Sequence, residues 1–164
     1  IDLFQGIIQA MTPELDQTNR KILAELVANA RIPISELARK VGLSKTPVTQ
    51  RIKQLEEMGL ITGYRAILSP LRLGLTHVTY VEVRMSDTRQ RALEQFNDAV
   101  RAISEVEECY LIAGGFDYLL KVRSRDMAHY RQIMADDISA LPHVTATTSY
   151  VAMEAVVEQS WTEI

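Results

Sequence analysis

Apolar residues recur along this chain at two periods, and the change of period divides it. Between residues 16 and 30, Ile22, Leu23, Leu26, Val27 and Ala30 fall at helical spacing behind Asp16, a residue suited to capping a helix. A shorter stripe of Leu37, Ala38 and Val41 predicts a second helix, with Ser35 as its cap and Gly42 just past its end. Val48, Ile52, Leu55 and Met58 then stand at i, i+4, i+7 and i+10. They predict a third helix that opens at Ser44 and stops at Gly59. Pro47 falls at its third position, where no intrahelical bond is lost. The run LITGYRAILS that follows is short, apolar and β-prone, and reads as a strand or wing; SPLRLG behind it reads as a hinge.

The back half alternates strand and helix. Leu75 to Met85 places Val81, Val83 and Met85 on one face and Tyr80, Glu82 and Arg84 on the other. Residues 88–103 carry Ala92, Leu93, Phe96, Ala99, Val100 and Ile103 along one helical face. Val106–Ala113 and Tyr118–Arg123 predict a hairpin around Gly114, Gly115, Phe116 and Asp117. Residues 126–140 predict a helix with Met127, Tyr130, Met134 and Ile138 inward, stopped by Pro142, and Val144–Val157 predicts a last strand. The order β-α-β-β-α-β is that of a ferredoxin-like fold, an antiparallel four-stranded sheet with both helices on one face. The expected fold class is therefore α+β: a helix-turn-helix unit with a strand or wing behind it, followed by a ferredoxin-like domain. The uncovered sheet face predicts a partner subunit, and a dimer suits a helix-turn-helix that reads two half-sites.

The polar face of the third helix carries Lys45, Thr46, Thr49, Gln50 and Lys53, with Arg51 beside it. These are phosphate binders and base-edge hydrogen bonders rather than the Glu/Lys alternation of a solvated helix. Between Arg39 and Lys53 stand five basic residues and no acid. A basic-faced helical hairpin with no ligand is the plainer reading; the turn glycine and the charge favour binding to double-stranded DNA. Lys45, Thr49, Gln50 and Lys53 are the candidates for the major groove, and Arg51 for a phosphate or a guanine.

The net charge of −3 conceals an asymmetry. Residues 16–65 hold nine Lys/Arg against five Asp/Glu, and residues 66–164 hold nine against fourteen. A basic front and an acidic back point to two tasks on one chain. No run of 18 apolar residues exists to span a membrane, and one cysteine, Cys109, fits a reducing cytoplasm. His77, His129 and His143 have no metal-site spacing, no nucleophile has an evident base, and no Gly-rich phosphate loop follows a strand. No metal, no cofactor and no enzymatic activity are expected. RNA binding on the sheet is disfavoured because its middle strands are mainly Leu, Ile and Val.

From about Leu15 onward the chain resembles the Lrp/AsnC (leucine-responsive, feast/famine) family of bacterial transcription regulators. The resemblance rests on LDQTNRKIL, ELARKVGLSKTPVTQRIKQLEEMGLITGY and LSPLRLG in front, and on GGFDYLLKV and SYVAMEAV behind. It implies an N-terminal winged helix-turn-helix joined to an effector-binding ferredoxin-like domain, and dimers packed sheet against sheet, often assembling to octamers, with an amino-acid effector bound between subunits. Ser44, Thr46, Pro47 and Arg51 match the family's recognition-helix pattern; Gly114, Asp117 and Tyr118 match its effector loop. By composition alone, residues 114–118 read as a plain hairpin turn. With the resemblance they become a pocket: Gly114 and Gly115 admit the ligand, Asp117 accepts from its ammonium, and Thr147 and Ser149 complete the site with Tyr118.

The expected organisation is 1–14, an N-terminal extension or added segment; 15–63, the DNA-binding domain; 64–74, strand and hinge; 75–157, the effector and dimerisation domain; 158–164, a tail. The expected function is operator binding in the cytoplasm, on the nucleoid, modulated by an amino acid and controlling amino-acid metabolism. Within the family the sequence sits near activators of proline utilisation. The alternative is an architectural protein that compacts DNA without an effector.

Overall fold

The computed structural model describes residues 15–158; the expected extension at 1–14, and the tail beyond Glu158, lie outside them. Two compact units divide between Ile67 and Leu68. Among the described residues the first holds three helices: α1 (Gln17–Ala28), α2 (Ile34–Val41) and α3 (Lys45–Glu57). Asp16 caps α1, its carboxylate accepting from the Asn19 N–H at 2.6 Å. Helix α2 opens behind Pro33 rather than Ser35, which lies inside the helix and is not its cap. Proline, with its fixed extended φ, takes the entry position, and the N–H groups of Glu36 and Leu37 bond back to its carbonyl.

Both α2 and α3 end in the same closure. Gly42 takes φ +73°, its N–H reaching Arg39 O while Leu43 N–H reaches Ala38 O. Gly59 takes φ +70°, its N–H reaching Glu56 O while Leu60 N–H reaches Leu55 O. In each case a glycine in the left-handed region turns the chain and a leucine follows it into the core. That core is Ile22, Leu23, Ile32, Leu37, Ala38, Val48 and Leu55, with Ile52, Leu43 and Leu60 packed on it. Met58, expected in the stripe, is half exposed, because it occupies the C-cap where the helix gives way to the turn.

The expected strand or wing at 60–69 forms no strand among the described residues. Leu60 and Ile61 bond back to Leu55 O, and no ladder partner stands beside the rest among the described residues. Tyr64, Ile67 and Leu68 are accordingly exposed.

The second unit carries β1 (His77–Met85), α4 (Gln90–Val100), β2 (Val106–Leu111), β3 (Tyr118–Ser124), α5 (Met127–Gln132, continuing as a π-helical turn Ile133–Ile138) and β4 (Val144–Val151). The sheet order is β2-β3-β1-β4, with every pair antiparallel. This is the expected ferredoxin-like arrangement. Strand β4 ends at Val151, short of the expected 157, because it meets the beginning of β1: Val151 lies opposite Thr79, and only the Ala152 N–H goes one step further, to Val78 O.

The core lies between the sheet and the two helices. Val81 and Val83 of β1, Tyr118, Leu120 and Val122 of β3, Phe96 and Val100 of α4, and Tyr130, Ile133 and Ile138 of α5 are buried together. The Phe96 and Tyr118 rings pack with centroids 4.3 Å apart and a 30° tilt. Tyr118 keeps its hydroxyl satisfied in this setting by donating to Asn97 Oδ1 at 2.9 Å. Phe96→Ala would remove the largest apolar side chain on the helix layer and should cost about 3–5 kcal/mol. Urea titration should show a lower unfolding midpoint, and an unchanged one would refute Phe96 as a keystone.

Candidate DNA-binding and effector sites

Helix α3 is oriented by what it buries. Val48 and Leu55 are fully buried, so the residues a third of a turn away face outward. Ser44, Lys45, Thr46, Thr49, Gln50 and Lys53 are all exposed, on the outer surface of α3 and its entry. Ser44 occupies the N-cap position without a side-chain cap bond, which leaves its hydroxyl and the first N–H groups of the helix open to an anion. Thr49 donates its hydroxyl back to Lys45 O at 3.0 Å.

The charges of this unit are partly compensated. Lys40 pairs with Glu25 at 2.6 Å, Lys53 loosely with Glu57 at 3.5 Å, and Arg51 with Asp16 at 2.6 Å. Arg39 and Lys45 have no ion-pair partner among the described residues. The Asp16 carboxyl is held below its usual range by the Asn19 N–H and then by the Arg51 guanidinium. Asp16 was legible in the sequence as a cap. Its second partner, 35 residues on, was not.

In the second unit the candidate effector residues divide. Asp117 is committed to the loop: its carboxylate accepts from the Met85 N–H at 2.7 Å, its own N–H donates to Val83 O, and its carbonyl accepts from Ile112. It thereby satisfies the end of β1, where the ladder with β3 has run out. Gly114 and Gly115 are exposed, and neither takes a left-handed φ. A methyl group at Gly115 would meet nothing within 4 Å, and at Gly114 only the Ile112 side chain at 3.4 Å. The turn itself does not require either glycine.

Tyr118 is buried in the core, 2% exposed, and is a framework residue rather than a surface contact. The register explains why. Directly opposite residues in antiparallel strands project to one face, so Tyr118, Val83 and Thr147 form a row under the helices, and Leu120, Val81 and Ser149 form the next. Thr147 therefore stands two strands from Tyr118, about 10 Å away. The Ser149 hydroxyl is engaged with that of Tyr130 on α5. The structure thus does not gather the glycine loop, Thr147 and Ser149 around one cavity of a single chain. Two grooves, of about 420 and 370 Å³, lie elsewhere: one between the end of α4 and the π-helical turn, the other between α4 and β2 at Cys109. Neither is lined by a candidate effector residue. Burial pushes the Cys109 thiol up to about 11, which leaves it protonated and unreactive at neutral pH.

The open sheet face differs from the Leu, Ile and Val surface expected of it. Most of those residues in β1 and β3 point under the helices, and Tyr80, Tyr110 and Tyr150 stand exposed on the other side. Beside them, Lys121 lies within 3.2 Å of Glu107, 3.4 Å of Glu108 and 3.1 Å of Glu158, and Arg123 pairs with Glu107 and Glu158. Burial opposes the charge on Lys121, but the hydrogen bonds it donates to Glu158 and Glu107 outweigh that and hold its pKa above the usual lysine value.

Among the described residues, a three-helix unit with an outward basic helix and a ferredoxin-like unit together make a helix-turn-helix protein with a second, α+β domain. Residues 15–62 match the family described as winged helix-turn-helix DNA-binding, and residues 78–162 that described as Lrp/AsnC ligand binding domain. The chain belongs to the Lrp/AsnC family of transcriptional regulators. It is 76% identical over 150 residues to the proline dehydrogenase transcriptional activator of Rhodobacter capsulatus, a match covering 92% of this chain and 97% of that protein. Among solved structures it is similar to an AsnC-family regulator from Agrobacterium tumefaciens (32% identity, TM-score 0.86, covering 90% of this chain and 96% of that one). It is also similar to a Neisseria meningitidis regulator in complex with L-Met (32% identity, TM-score 0.83, 89% and 94% covered). No helix among the described residues is long and apolar enough to cross a membrane, and no cluster of His, Cys, Asp or Glu among them could hold a metal ion.

Replacing Lys45 with Ala should weaken binding to operator and to unrelated DNA alike, and reduce the salt dependence of binding by about one charge. Anisotropy titrations at several salt concentrations would check this, and an unchanged slope would take Lys45 off the phosphate backbone.

Proposed function

We propose that this chain is an amino-acid-responsive activator of a proline dehydrogenase gene, with proline as its effector. The observation that carries the reading is the 76% identity to the Rhodobacter capsulatus activator across nearly the whole of both chains. Proline is the economical signal for such a gene, since it is the substrate of the enzyme to be made. A related regulator holding L-Met supports a free amino acid as the class of ligand.

In this reading α3 enters the major groove in the cytoplasm. Ser44, Lys45, Thr46 and Lys53 contact the backbone, Thr49 and Gln50 reach base edges, and Arg51 sits at the rim. The second unit pairs with a copy of itself through the open sheet face, and this dimer is the unit from which any octamer is built. The candidate effector residues do not close a pocket in one chain, which supports a site completed by a neighbouring subunit. Gly114 and Gly115, not required by the turn, leave the space and free N–H groups for a ligand carboxylate at such a junction. Asp117 offers its second oxygen to the ammonium, while Thr147 and Ser149 line the far side of β1.

The wild-type protein should gain a few degrees of melting temperature with saturating proline, a ligand at a hundred times its Kd adding roughly 2.7 kcal/mol. A panel in which another amino acid stabilises and proline does not would overturn the effector assignment. Because Asp117 also holds the Met85 N–H, Asp117→Ala would confound ligand with fold. Asp117→Asn keeps an acceptor for that N–H and removes the charge. It should fold and bind DNA normally yet lose the proline shift, as should Gly115→Thr by filling the ligand space. A full proline response in both variants would exclude the loop.

A further inference from the structure

Arg51 has two partners on another helix. Its Nη1 lies 2.6 Å from Asp16 Oδ2 and 2.8 Å from Asn19 Oδ1, and Asp16 Oδ1 accepts the Asn19 N–H at 2.6 Å. The three residues close on themselves. One oxygen of Asp16 caps α1, the other neutralises the guanidinium, and Asn19 serves the acid with its N–H and the base with its carbonyl. The Arg51 side chain is 32% exposed, against 75% for Lys53 on the same helix. Both hydrogens of Nη1 are committed, one to each partner. Among the described residues nothing takes the Nε and Nη2 hydrogens, and these form one complete bidentate edge of the fork.

From this geometry we infer that Asp16 and Asn19 are specificity-determining positioning residues: they hold Arg51 so that it meets DNA by one edge, in one orientation, and withhold its charge from indiscriminate phosphate binding. The inference rests on the reading of α3 as the DNA-contacting helix. A free arginine there would raise affinity for every duplex, because phosphate attraction carries no sequence information. A neutralised and oriented one contributes where a guanine or a particular phosphate lies opposite its open edge, and little elsewhere.

The test uses the full chain and two duplexes: one enriched from a random-sequence pool by the wild-type protein, and a scrambled duplex of equal composition. Asp16→Asn is the informative variant: its one amide oxygen caps the helix as well as Asp and accepts the same N–H, while the amide nitrogen in place of Oδ2 can neither accept from Arg51 nor offset its charge. Its melting temperature should stay near that of the wild type. It should bind the scrambled duplex more tightly, with a salt slope steeper by about one charge, and its preference for the enriched duplex should fall roughly tenfold. In an Arg51→Gln background the same change at position 16 should have little effect on preference, because the positioned group is gone. An Asp16→Asn variant with unchanged preference, or one that shifts preference equally with and without Arg51, overturns the inference. A wild-type protein that enriches no duplex from the pool instead overturns the DNA-binding reading beneath it.

Discussion

A four-stranded antiparallel sheet has two faces, and among the described residues the helices of the second unit cover only one of them. Helices α4 and α5 bury Val81, Val83, Leu120 and Val122 on that side, together with Phe96 and Tyr118. The other side presents Tyr80, Tyr110 and Tyr150 beside the Lys121 and Arg123 ion network. Tyrosine suits such a place, being large and apolar in body with a hydroxyl that tolerates water or a polar partner. The strand register decides which residues are available for ligand and which for packing. A one-residue shift would exchange the two sets. It also explains why Tyr118 belongs to the framework while Asp117, its neighbour, belongs to the loop.

In the first unit the governing constraint is how helices end. The left-handed glycines 42 and 59 each reverse the chain within one residue and return a leucine to the core. That fixes the rotation of α3 about its axis: with Val48 and Leu55 inward, Lys45, Thr49, Gln50 and Lys53 can only face outward. The outward face is therefore a consequence of packing, and its chemistry is what remains for recognition. Asp16 connects the two levels, closing α1 with one oxygen and holding Arg51 with the other.

Much of this was legible from residue order. Glycines at helix ends, apolar stripes at 3.6 and strands at period 2 are local signals, and all three helices of the first unit and the β-α-β-β-α-β order follow from them. The motifs quoted above also place the chain in its family. Features that depend on distant partners were not legible. Residues 60–69 have the composition of a strand, but a strand exists only beside another, and none is offered among the described residues. Ser35 looked like a cap because it is serine, whereas Pro33 had already set the entry. The pairing of Arg51 with Asp16, of Ser149 with Tyr130, and of Asp117 with the Met85 N–H all cross the sequence at distances that periodicity does not register.

The central claim is that an amino acid bound by the second unit and DNA bound by the first are coupled through one molecule. Coupling of binding free energies is reciprocal, so it can be read from either side. The most direct measurement is the affinity of the wild-type chain for proline by calorimetry, free and saturated with its enriched duplex, together with duplex affinity with and without proline. Proline should change duplex affinity, and duplex should change proline affinity, by the same factor. Proline binding that leaves duplex affinity untouched, with duplex likewise indifferent to proline, would contradict it.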